Sequence, residues 1–119
     1  KDGENFAVTQ IVVKHIASQR KKITVDVIKT LVCKYYSVSP ADLVSRSRKQ
    51  QLVRPRQMAI YLSRRFTDAP LQTIGKAFNR YHATALHSIH CIEKGLKTDS
   101  TVRQQVEFFR QKLESGKLN

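Results

Sequence analysis

Apolar residues recur along this chain every third or fourth position and never in sustained alternation, so the pattern predicts helices throughout. Phe6, Val8, Ile11, Val12 and Ile16 mark a first helix that closes on the basic run Arg20, Lys21 and Lys22. It reads as a connector over residues 1–22, ahead of a domain over 23–119. Thr24 is placed to cap the next helix, whose Val25, Ile28, Leu31, Val32 and Tyr35 share one face expected to be buried. "SPADLV" offers Ser39 as N-cap and Pro40 at the first helical position, so a short helix carries Leu43 and Val44. A long helix is expected over residues 52–66, with Met58, Tyr61, Leu62 and Phe66 available to a core and Pro55 tolerated only in the first turn. Near Pro70 another begins, turning Leu71, Ile74 and Phe78 inward. After Asn79, Arg80 and Tyr81 comes a helix from His82 to about Lys94 that packs through Leu86, Ile89 and Ile92. Ser100 is expected to cap a last helix built on Val102, Val106, Phe109 and Leu113. The expected fold is an all-α, compact helical domain.

Charge narrows the range of functions. The chain has 119 residues and a formal net charge of +13, enough for one domain and suited to a polyanionic partner. With 40% hydrophobic and 26% charged residues, it has the composition of a folded globular domain. No apolar run approaches the roughly 18 residues of a membrane span, and the opening "KDGENFAVTQ" lacks the shape of a signal peptide, so a cytosolic setting is expected. Cys33 and Cys91 sit in helical apolar patterns and are expected as buried free thiols. Between residues 46 and 65 stand Arg46, Arg48, Lys49, Arg54, Arg56, Arg64 and Arg65, with no acid among them. Such a run can be a solvated face. Several of these bases, however, are arginines on a short loop before a helix, and a guanidinium fork suits phosphate or guanine better than solubility requires.

The segments 70–78 and 82–94 have the dimensions of a helix-turn-helix, in which the N-terminal residues of the second helix meet base edges in the major groove. Those residues are Tyr81, His82, Ala83 and Thr84. An ordinary helical hairpin would share the spacing, and the adjacent basic loop favours DNA. His87, His90 and Cys91, at i, i+3 and i+4, offer a competing reading as metal ligands, although no second cluster completes the set. No nucleophile context, carboxylate pair or glycine-rich phosphate loop points to catalysis.

The stretch "RSRKQQLVRPRQMAIYLSRRFTDAPLQTIGKAFNRYHATALHSI" resembles the C-terminal DNA-binding domain of the bacterial replication initiator DnaA, and the similarity runs from about residue 23 to 113. "RPRQMA", then "IGKAF", then His-x-Thr-x-Leu-His carry it. The resemblance implies that residues 1–22 join an ATPase lid to this domain and that the chain is part of a larger initiator. No cofactor is expected in this portion. The implied partners are duplex DNA at origin boxes resembling TTATCCACA and, through the ATPase part, other initiator protomers. An alternative is an initiator-like domain of a transcription regulator or mobile-element protein that reads a different sequence.

Site residues follow from the resemblance position by position. Arg48 matches an arginine that enters an A·T-rich minor groove, where negative potential is concentrated. Arg56 and Gln57 match residues at the DNA surface beside that loop. Arg64 matches a phosphate contact, and the amides of Leu71 and Gln72 open a helix able to hold another phosphate. Arg80, Tyr81, His82, Ala83 and Thr84 fall on the family's Arg-Asp-His-Thr-Thr recognition motif. Tyr81 stands where the family has an aspartate, Ala83 where it has a threonine, and the single Asn79 where it usually has two glycines. His90 and Cys91 occupy positions where the family often has basic residues.

Overall fold

A computed structural model describes residues 23–116, and the connector expected over residues 1–22 lies outside them. The elements are α1 (Val25–Tyr36), α2 (Pro40–Leu43), α3 (Gln50–Phe66), α4 (Leu71–Ala77), α5 (His82–Thr98) and α6 (Ser100–Ser115). Among the described residues there is no strand, so the domain is all-α. None of their helices is long and apolar enough to cross a membrane.

Helix α3 is the axis of the molecule. Residues 58–63 are buried without a break, which a helix achieves only when neighbours cover it on every side. Those neighbours are chiefly α5 and α1. Ile28 and Val32 of α1, Leu43 of α2, Ile74 beside Phe78 at the end of α4, Ile92 of α5, and Phe109 of α6 close the core. Ser63, buried in the centre, donates its hydroxyl to the Ala59 carbonyl at 2.7 Å and so leaves no unmet donor.

Caps set the helix starts. Thr24 accepts from the Val27 amide and Ser39 from the Asp42 amide, as the sequence predicts. Helix α6 starts differently: Asp99, not Ser100, is the N-cap, its Oδ1 accepting from the Thr101 amide at 2.9 Å. Helix α5 ends at Thr98, so Asp99 alone makes the corner between two long helices. Helix α3 begins at Gln50, two residues early, because the amides of Leu52 and Val53 both reach the Lys49 carbonyl. Pro55 therefore lies in the second turn rather than the first, where it forgoes one ladder hydrogen bond and buries its ring.

Two expected core residues lie at the edge. Leu86 is 42% exposed, because the inward stripe of α5 runs through Ala85, Ile89 and Ile92 and a neighbouring position points about 100° away. Tyr35 is exposed to the same degree at the rim, its ring meeting those of Tyr36 and Phe109 edge-on with centroids 4.9 Å apart. Phe66, Leu71 and Val106 are half-buried against the core.

The α4–α5 turn is the tightest join. The Arg80 amide returns to the Gly75 carbonyl at 2.7 Å, and Asn79 takes a left-handed conformation, φ 55°. Asparagine tolerates that region better than most side chains. A Cβ on Gly75 would lie 2.6 Å from the Arg80 carbonyl oxygen, a backbone atom that cannot swing aside. Lys29 completes the join, donating to the Ala77 carbonyl at 2.6 Å with its ammonium 5.0 Å above the Phe78 ring. Gly75→Ala should therefore destabilise the domain by about 1–3 kcal/mol, although alanine is the better helix former by about 1 kcal/mol. Urea denaturation measures this, and a midpoint equal to or above wild type contradicts the close approach.

Candidate nucleic-acid interface

The basic loop between α2 and α3 is held by its own carbonyls. Arg56, only 6% exposed, donates Nε to the Leu43 carbonyl at 2.7 Å, Nη1 to Ser47 at 2.9 Å and Nη2 to Asp42 at 3.2 Å. From the other side, Arg80 Nη2 donates to the Ser45 carbonyl at 2.7 Å and Asn79 Nδ2 to Val44 at 3.3 Å. Within the loop, Ser45 Oγ accepts from the Ser47 amide and Ser47 Oγ from the Lys49 amide. With its backbone so occupied, the loop presents the exposed side chains of Arg46, Arg48 and Lys49, none of which hydrogen-bonds to another described residue.

This arrangement corrects the expected place of Arg56. Its fork is inside the protein, gripping the loop, so it sets where Arg48 stands instead of lying on the outer surface. Burial, and next the neighbouring Arg80 guanidinium, hold Arg56 below the usual arginine range. Arg80 is likewise lowered, by burial and then by Arg46. The cations are close together because carbonyl dipoles, and no carboxylate, receive them.

Arg80 also donates Nη1 to the Phe78 and Asn79 carbonyls at 3.2 and 3.1 Å, so one side chain ties the turn to the loop. Immediately after it, α5 begins with Tyr81 as N-cap and without a side-chain cap. Tyr81 is 84% exposed, and His82, Ala83 and Thr84 are exposed beside it. Uncapped amides at a helix start carry partial positive charge.

Loop, α3 and α5 border one groove. Its lining includes Arg46, Arg48, Arg56, Gln57, Lys76, Tyr81, Thr84 and His87. No carboxylate lines it. The groove thus unites Arg48, Arg56, Gln57, Arg80, Tyr81 and Thr84 from among the residues expected by sequence. His82 and Ala83 are exposed on the same first turn of α5 outside the lining. Arg64, exposed in the last turn of α3, and Leu71 and Gln72, opening α4 behind Pro70, lie elsewhere. Sequence reasoning missed Arg46, Lys76 and His87 as groove residues. His87 carried a signal, since it follows Thr84 by three residues and so shares its face.

The competing metal reading gains no geometry. Among the described residues no group of three or more histidines, cysteines or acids is placed to hold a metal ion. Cys91 Sγ lies 3.4 Å from His87 Nε2. Both cysteines are free, Cys33 buried as expected and Cys91 only half-buried, because it stands at the margin of the α5 stripe.

A family model described as "Bacterial dnaA protein helix-turn-helix" matches residues 25–92. The chain is 48% identical over 116 residues to a chromosomal replication initiator protein DnaA of Desulfatibacillum aliphaticivorans, covering 98% of this chain and 26% of that protein. It is 34% identical to the protein of that name from Caldanaerobacter subterraneus subsp. tengcongensis, over 95% of this chain and 26% of the relative. With that of Jannaschia sp. it shares 40% identity over 80% of this chain and 20% of the relative. The chain thus spans about a quarter or less of these relatives' length.

Arg56→Lys keeps the charge but replaces a three-donor fork with a point, and should cost about 2–3 kcal/mol of folding stability as carbonyls lose charged donors. Chemical denaturation of the variant at neutral pH measures the loss, and wild-type stability would mean that the clamp contributes nothing.

Proposed function

The chain belongs to the bacterial DnaA helix-turn-helix family, and on that premise we propose that it binds duplex DNA at replication-origin boxes as the DNA-binding domain of an initiator. One observation carries the reading: an uncapped, exposed helix start and an arginine-bearing loop border the same acid-free groove. The two readers have different tasks. Helix α5 enters the major groove, where Tyr81, His82, Ala83 and Thr84 meet base edges. Arg48 enters the neighbouring minor groove, favoured where an A·T stretch narrows it. Arg64 and the amides of Leu71 and Gln72 hold phosphates outside the groove, setting register without reading sequence.

The domain positions and does not catalyse. In a longer protein it would place an ATPase part on boxes resembling TTATCCACA, where further initiator protomers assemble. A second reading, a related domain of a regulator that prefers another sequence, is favoured by Tyr81 and Ala83, the two positions where the recognition motif departs from the family. Tyrosine lacks the carboxylate with which aspartate accepts from a cytosine amino group, and alanine lacks the threonine hydroxyl.

Two measurements test the proposal. Arg48→Ala should weaken binding by about 1–3 kcal/mol at an A·T-flanked site, the scale of one good arginine contact, and unchanged affinity at moderate salt would remove Arg48 from the minor groove. Tyr81→Asp with Ala83→Thr should raise the preference for the initiator box over scrambled duplex by about 1 kcal/mol or more per recovered base contact. Competition between the two duplexes at one salt concentration reports that ratio. No gain means that α5 docks in another geometry, which favours the second reading.

A further inference from the structure

Beyond the groove, the first turns of α3 and the C-terminal half of α5 enclose a notch. Gln50, Arg54 and Gln57 line it from α3, and Cys91, Lys94 and Thr98 from α5, with Asp99 at its end. Val53 and Gln57 border both notch and groove, so the two are continuous.

Arg54 is the unusual member. Its Nε is buried and has no hydrogen-bond acceptor, alone in this among the buried side-chain polar atoms of the described residues. Its other donors make no hydrogen bond with a described residue either, nor does the exposed Lys94 ammonium. Asp99 does not neutralise them: its Oδ1 caps α6 and it forms no ion pair with a described residue. An arginine held partly inside a protein ordinarily has its fork satisfied, as Arg56 has on the far side of the same helix turn. Arg54 therefore brings a guanidinium without an acceptor among the described residues to a concave site that also holds a second cation and the amide side chains of Gln50 and Gln57. That donor set, in which Arg54 and Lys94 outnumber the one carboxylate, Asp99 at the end of the notch, fits an oxyanion with several acceptor oxygens.

The geometry points to a backbone phosphate of duplex DNA as the ligand of this notch, gripped between Arg54 and Lys94. It lies where a strand leaving the groove would pass along α5. The inference rests on the DNA-binding reading and extends it by one electrostatic contact, independent of base sequence, at the far end of the recognition helix.

The test is the salt dependence of affinity for the box duplex and a scrambled duplex, measured on wild type, Arg54→Gln, Lys94→Gln and the double variant. One phosphate contact contributes about 0.9 to the slope of log affinity against log salt. The double variant should therefore lose about one unit of slope, and each single variant should weaken both duplexes by the same factor. Lys94 is exposed, so Lys94→Gln keeps the test open even if Arg54→Gln disturbs folding. Wild-type affinity and slope in Lys94→Gln, or a loss confined to the box, overturns the assignment. An unchanged slope together with a thermal midpoint that inorganic phosphate raises in wild type but not in Lys94→Gln shows a free-anion site, which also overturns it. Failure of wild type to bind any duplex overturns both this inference and the reading beneath it.

Discussion

Everything at the interface depends on the guanidinium of Arg56 being inside the protein. A loop carrying Arg46, Arg48 and Lys49 would otherwise be driven apart by its own charge, and its backbone has no sheet or helix partner. Three carbonyls on one arginine, and two more on Arg80 and Asn79, replace that missing secondary structure. Two of these donors, Arg56 and Arg80, are themselves cations, so the clamp adds to the positive field of the groove while it orders the loop. An acid would have satisfied Arg56 as well but would have cancelled the charge that a polyanion meets.

The same clamp couples the two elements proposed to read DNA. Arg80 closes the helix-turn-helix on one side and holds Ser45 of the loop on the other, so the start of α5 and the Arg48 segment are fixed relative to each other before any ligand arrives. Gly75 is the condition for this, since only a residue without a side chain lets the Arg80 carbonyl approach. A preassembled surface spends less binding energy on ordering itself than a mobile loop would.

Much of this was legible in the sequence. Helices with one apolar stripe, such as α1, announce themselves through spacing, and Ser39 with Pro40 fixes the start of α2 to the residue. The start of α5 could be placed because Ala83 and Thr84, small residues ahead of the apolar stripe, open it. Other features depend on neighbours that a local pattern does not contain. Helix α3 is buried all round over residues 58–63, so its periodicity understates its core. Leu86 and Tyr35 sit at the margins of their stripes, where a rotation of a fraction of a turn decides burial. Arg56 looked like its neighbours in the run from Arg46 to Arg65, because a list of like charges does not say which one folds inward. The distinction between Arg56, satisfied, and Arg54, unsatisfied, two residues apart, exists only in three dimensions.

The central claim is that loop and helix form one preordered, two-part DNA surface. Titrating the isotopically labelled protein with a box duplex, and following backbone amide resonances, tests it most directly. The account predicts that residues 46–49 and 81–84 shift together with a single saturation curve, while the amides of Tyr35 and Phe108, in the aromatic cluster of α1 and α6 and outside the groove lining, stay unchanged. Response of only one of the two segments, or a response centred on the aromatic rim, would contradict it.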